Sequence, residues 1–197
     1  MAPCITMILN VSSSSPSKNK TEVWYGAENV VNKSLEIMYS IENQFDLCIE
    51  SNGPIAILSD NDIRKAYYDL KNKGVIIRIV TDVTNDNLDS CRELSKIAEI
   101  RHLSDTIGNF VIADRKNFGA VADLEDVYPH ITELIHSTVP AFVKQQQSFF
   151  EMLWKKAIPA KQRIKEIKEN LKREFIETIQ DSEETLTLVS AQILTGG

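Results

Sequence analysis

Cysteine is scarce and poorly spaced for chemistry: Cys4, Cys48 and Cys91 are an odd number and contain no Cys-x-x-Cys pair. Neither a disulfide framework nor a zinc site follows from such a set, and a reducing cytosol suits it. Long apolar runs are missing too. The longest fall far short of the roughly 20 residues that a membrane helix needs. The apolar patch at residues 5–11 has no basic flank before it and makes a poor signal peptide, so a cytoplasmic, membrane-free protein is expected. The 7 glycines are scattered, which leaves no glycine-rich phosphate loop and implies no nucleotide or other cofactor. Positive charge is not in excess. With 22 Lys and Arg against 28 Asp and Glu the net charge is -6, which argues against a general nucleic-acid binder. Histidine numbers only 3, and His130 and His136 are six apart, on different sides of any helix, so no metal site is expected.

What remains is enough for one core: 197 residues with 43% apolar content bury a single domain, with room for an appended helix. Residues 1–20, rich in Ser and Lys, read as a disordered tail that cannot repay the entropy of ordering. A β-rich segment at 22–25 leads into a helix from about Ala27, whose Val30, Val31, Ser34, Leu35, Met38 and Ile41 return to one face. A short buried strand at 45–49, a turn at 52–54 and a helix capped by Asp60 or Asn61 and stopped by Gly74 follow. Residues 75–80 are nearly all β-branched, as suits a central parallel strand covered on both faces. A third helix from about Asn85 and a strand at 99–103 continue the alternation, which implies parallel crossovers. Runs at 109–113 and 118–122, joined by polar residues, read as a β-hairpin. From about Ser137 a long helix with an aromatic stripe (Phe142, Phe149, Phe150, Trp154) should reach Pro159.

The expected architecture is therefore α/β, a mixed but mainly parallel sheet flanked by helices, with a carboxyl-terminal extended helix. The domain should occupy residues 21–158 and a linker helix 159–181. Between Lys155 and Glu174, eight basic residues face three acidic ones, and Ile164, Ile167, Leu171, Phe175 and Ile179 form a narrow apolar stripe. Spacings of three and four suit either docking on the domain or a short coil with a second copy; a homodimer is the favoured expectation. Residues 182–197 read as a truncated or loose end, with 185–194 apolar enough for a strand.

Doubly wound sheets place ligands beyond the carboxyl ends of their parallel strands. The candidates there are Glu50, Ser51 and Asn52 after the second strand, Thr81 and Asp82 after the third, and His102 and Asp105 with Asn109 after the fourth. Each alone is a common cap or turn residue, and His102 alone an ordinary histidine at the solvent edge. Their convergence on one edge is what would make a pocket. His136 stands four residues before Pro140 with Ser137 where a phosphoacceptor histidine is followed by an acid, so it is not expected to be phosphorylated.

Ile107, Asn109 and Asp114 fall at the His, Lys and Asp positions of a His-x-Lys-x4-Asp pattern. The segment resembles a half-site of the phospholipase D-like fold in which only the acid is kept. The resemblance implies a nucleophilic His and a charge-neutralising Lys. Ile cannot attack phosphorus and Asn carries no charge, which points away from an enzyme; Asp114 itself reads as a turn residue closing the hairpin. Segments 21–29, 63–71, 74–78, 97–103, 108–110, 145–147 and 153–159 together resemble the amino-terminal input region of sensor histidine kinases from ammonia-oxidising archaea. That wider resemblance implies a sensory domain of a two-component system, which binds an unknown small ligand or protein partner and signals through the late helix. The alternatives are an effector-binding domain of an archaeal transcription regulator, or a residual phosphodiesterase using Asp114 and His102.

Overall fold

The computed structural model describes residues 19–106, 108–122 and 132–195, with side chains of the last helix described as far as Glu183. The expectations for the tail at 1–18, for Ile107 and for His130 lie outside the described residues.

Three parallel strands make the middle of the molecule: β2 (Gln44–Cys48), β3 (Ile76–Thr81) and β4 (Glu99–His102). Helical crossovers join them, since parallel neighbours cannot be linked by a tight turn. The first crossover holds α2 (Gly53–Ser59) and α3 (Asn61–Asn72); the second holds α4 (Leu88–Leu94). Of residues 52–54, expected as a turn, Asn52 is in a turn but Gly53 and Pro54 already belong to α2, with Pro54 in its first turn, where a missing N–H costs nothing. A side chain at Gly53 would meet Ile49 at 2.8 Å, so only glycine lets α2 approach β2 this closely. Asp60 caps α3 by accepting from the amides of Asp62 and Ile63, both at 2.9 Å. Gly74 ends it in the left-handed region at φ 84°, where Val75 N donates back to the Leu70 carbonyl.

The expectation of a mainly parallel sheet is corrected. With β1 (Thr21–Tyr25), β5 (Asn109–Ala113), β6 (Asn117–Ala122), β7 (Glu133–Ser137) and β8 (Ile158–Pro159), the order is β1-β7-β6-β5-β2-β3-β4-β8. Five of its seven pairings are antiparallel. The physical reason lies in the connections. Only the helical links between β2, β3 and β4 return the chain to a neighbouring strand, whereas α1 and α5 lead to strands elsewhere in the sheet, β5 and β6 form a hairpin, and β1 closes the edge by pairing with β7. Ser137, expected to open a helix, is the last residue of β7; α5 runs Pro140–Lys156.

Two cores sandwich the sheet. On one face Phe45, Leu47, Ile77, Ile79 and Ile100 pack under α1 (Ala27–Tyr39), α3 and α4. On the other, Cys48, Val80, Phe110, Ile112 and Phe118 meet Val143, Phe150 and Trp154 of α5. The final helix, α6 (Ala160–Thr195), starts in the first core through Ala160, Ile164 and Ile167. Past that point Leu171, Phe175, Ile176 and Ile179 are exposed. Residues 185–194, expected as a strand at a loose end, continue this helix, because a strand there would have no sheet neighbour for its backbone. No described helix is long and apolar enough to cross a membrane.

Candidate functional site

The carboxyl ends of β2, β3 and β4 do bring the expected residues to one edge, with Asn109 at the start of the adjacent β5. Their polar atoms face one another. Glu50 N donates to Asn109 Oδ1 at 3.0 Å, and Thr81 Oγ1 donates to the Glu50 carbonyl at 3.1 Å. Asp82 accepts from Asp105 N at 3.2 Å, with Asp105 at φ 54°. Asn52 precedes α2 without a side-chain cap bond. The hub of this edge is Asn87, which the sequence reading passed over. Its amide donates to the carbonyls of Ser51 and Asp82, both at 2.7 Å, and its oxygen accepts from Thr84 N at 3.0 Å. An Asn directly before a helix start was the available signal.

His102 is not at the solvent edge, as expected, but 93% buried, since it must reach the backbone of the β3–α4 loop. Val83 N donates to its Nδ1 at 3.0 Å, which puts the proton of the neutral ring on Nε2, 3.3 Å from Ser104 Oγ. Burial, helped by the nearby Arg163 and opposed by Asp82 and Glu166, lowers its pKa and favours that neutral form. The Asp82 carboxylate 3.4 Å from Nδ1 is therefore a neighbour and not an ion-pair partner. The ring's one lone pair is committed to the backbone.

Asn109 and Asp114 stand at opposite ends of β5 and peg it to β2. Asp114 Oδ2 accepts from Glu42 N at 2.8 Å, and its Oδ1 from Asn43 N and Gln44 N at 2.8 and 2.9 Å. Burial would raise its pKa, but the amides of Gln44, Glu42 and Asn43, with Lys116 nearby, outweigh it and hold the carboxyl low. His136, on β7, is buried with Nε2 3.2 Å from Asn117 Oδ1.

A second polar centre lies beneath α5 and was not anticipated. Asp46, 99% buried, takes both Arg78 nitrogens, the Gln147 amide at 2.8 Å and the Gln44 amide. Arg78 also reaches Glu151 at 2.7 Å and lies over the rings of Phe150 and Trp154, 4.9 and 5.0 Å away. The signal was present: Asp46 and Arg78 are the charges inside two otherwise apolar strands. An open groove of about 630 Å³, lined by Arg78, Arg115, Lys144, Gln147, Ser148 and Glu151, borders this network. A smaller one, about 390 Å³, lies at the amino ends of β3 and β4. Neither coincides with the edge around His102. Among the described residues no three His, Cys, Asp or Glu side chains are grouped to hold a metal ion.

No protein-family model matches the sequence, and no curated protein matches it. Solved structures do. TrmBL2, an archaeal chromatin protein described as showing a novel mode of DNA binding, superposes with a TM-score of 0.52 at 20% identity, over 74% of this chain and 56% of its own. The phospholipase D family member Nuc from Salmonella typhimurium superposes at 0.59 and 14% identity, over 72% of this chain and 98% of its own. NucT from Helicobacter pylori gives 0.60 and 13%, over 72% and 99%. The fold is phospholipase D-like. The chain spans little more than half the length of TrmBL2.

Proposed function

We propose that this chain is a non-catalytic regulatory module on a phospholipase D-like fold, which passes the binding of a ligand or partner to α6 and, in the two-component setting that the sequence resemblance implies, to a histidine kinase. One observation carries the loss of catalysis. At the positions that the resemblance aligns with the Lys and Asp of the phospholipase D-like motif, Asn109 is spent on the Glu50 amide just after β2 and Asp114 on the amides of residues 42–44, and Ile107 offers no nucleophile. His102, the nearest substitute, has its ring lone pair on Val83 N.

The output is supported by α6, which is anchored by Ile164 and Ile167 and then leaves the domain with Leu171, Phe175, Ile176 and Ile179 exposed. Such a stripe suits pairing with a second copy. Two measurements test the reading together. Sedimentation should give a dimer that Leu171→Glu with Phe175→Glu converts to a monomer, and a chromogenic phosphodiester should not turn over. A monomeric wild type sinks the output; turnover lost in His102→Ala sinks the non-catalytic assignment.

Nucleic-acid binding is the second reading, favoured by the DNA-binding neighbour and by Lys161, Lys165, Lys168, Lys172 and Arg173 on α6. It requires a duplex-DNA shift at low salt that weakens steeply as salt rises. No shift at low salt disposes of it.

A further inference from the structure

We propose that the groove between the β5–β6 turn and α5 binds a small phosphomonoester that also carries a hydroxyl group. The turn supplies the first clue. Lys116 N donates to the Ala113 carbonyl at 2.9 Å, and the two central residues, Asp114 and Arg115, both lie in the left-handed region at φ 50° and 57°. Turns of this kind favour Asn-Gly, because a side chain at either position is strained. Asp114 is held there by three amides; Arg115 has no comparable bond. Its guanidinium, 63% exposed, comes no nearer than 4.0 Å to the Glu151 carboxylate. The strained position thus holds an Arg at the groove mouth, where glycine would suit the backbone better.

The charge balance of the groove favours an anion. Asp46 and Glu151 are both engaged by Arg78 at 2.7 Å, which leaves one negative charge over, and Arg115, 4.0 Å from Glu151, offsets it. Lys144, across the groove from the turn, has no carboxylate partner among the described residues. With three cations against two acids one positive charge remains, and Arg115, held only at 4.0 Å and mostly exposed, can turn with Lys144 onto an added negative group; a guanidinium fork with an ammonium is a natural pair for phosphate oxygens.

Gln147 adds the hydroxyl. It is 92% buried, and its amide nitrogen donates to Asp46 at 2.8 Å and to Glu151 at 3.1 Å. Flipping the amide would set its oxygen against two carboxylates, so its orientation is fixed. That leaves Oε1 buried without a donor, a position that demands a partner. A hydroxyl on the same ligand would supply it.

The inference does not depend on how α6 signals, and its test uses the full chain. Amide spectra would be titrated with glycerol 3-phosphate, with inorganic phosphate and glycerol as controls, on wild type, Arg115→Gly and Lys144→Gln. Expected are shifts centred on residues 115, 144 and 147, with the ester roughly tenfold tighter than inorganic phosphate, as one buried hydrogen bond implies. Arg115→Gly should lose about tenfold in affinity while melting a few degrees higher, roughly 2–4 °C, because the turn strain is relieved. Lys144→Gln should lose affinity with an unchanged melting point. No shift at tens of millimolar ester, or affinity unchanged in both variants, overturns the site. Equal affinity for phosphate and ester overturns the role of Gln147. Duplex DNA that displaces the ester through Arg115 and Lys144 would make the groove a nucleic-acid contact and overturn the small-molecule assignment.

Discussion

Arg78 grips Asp46 in a bidentate pair, with Nε 2.7 Å from Oδ1 and Nη2 2.8 Å from Oδ2, across directly facing positions of the parallel strands β2 and β3. The pair is enclosed by α5 and completed by Gln44 and Gln147, so every oxygen of a buried carboxylate is answered. Removing one partner is the costly change, because it strands the other charge; removing both is not. Arg78→Met should cost about 3–5 kcal/mol in urea unfolding, and Asp46→Leu combined with Arg78→Met should recover most of it. A double variant as unstable as the single would mean that the cost comes from packing on Phe150 and Trp154.

Asp114 should behave as a structural peg. Asp114→Ala orphans three amides before and at the start of β2 and should lose about 2–3 kcal/mol, while Asp114→Asn, which keeps an acceptor oxygen, should lose less. Its folded pKa is held below the unfolded value of about 3.9, so its stabilisation is fully present above that pH and disappears as pH falls through the folded value. Chemical unfolding of the wild type and Asp114→Asn from pH 6 to 2 should show the two converging in acid. Curves that stay parallel would show that the carboxylate is not the group involved.

Much of the fold was legible because its signals are local. The α3 start at Asp60, its stop at Gly74, the β-branched run of β3 and the hairpin of β5 and β6 each declare themselves within a few residues. Strand direction does not. Two of the five antiparallel pairings run through β7, a five-residue strand whose Glu-Leu-Ile-His-Ser pattern acquires meaning only when β1, more than 100 residues earlier, pairs with it. The site divides in the same way. Strand ends told which residues would meet near Glu50, Thr81 and His102, but not that they would bond one another. The Asp46 centre and the Arg115 turn required knowing which strand α5 covers.

Trp154 connects that buried centre to the last helix. The guanidinium groups of both Arg78, at 5.0 Å, and Arg101, at 4.3 Å, lie over its ring, while Arg101 Nη1 donates to the Trp154 carbonyl at 3.0 Å. Arg101 also faces Pro159 across the β4–β8 pairing, one residue before α6. Trp154→Ala should therefore cost about 3–5 kcal/mol and expose the α5–α6 junction. Limited proteolysis should cut near residues 157–160 in this variant and not in Trp154→Phe, which retains an aromatic face. Equal cleavage of both would remove Trp154 from the anchoring of α6.

Histidine protonation should set the stability near neutral pH. Burial lowers the pKa of His102, and also of His136, whose Nδ1 has no hydrogen-bond partner. A folded pKa below the unfolded value of about 6.5 means that the unfolded chain binds the proton more readily. Stability is then complete above pH 6.5 and declines as pH falls through the folded values, at up to about 1.4 kcal/mol per pH unit for each histidine. At His102 the loss has a specific cause, since a proton on Nδ1 displaces the Val83 amide. His102→Gln should lower stability at pH 8 yet flatten its decline between pH 6.5 and 5, leaving the part due to His136. Unfolding midpoints across that range, with imidazole chemical shifts to locate each titration, decide the matter. A His102 midpoint at or above 6.5 would mean that the buried ring accepts its proton without giving up Val83.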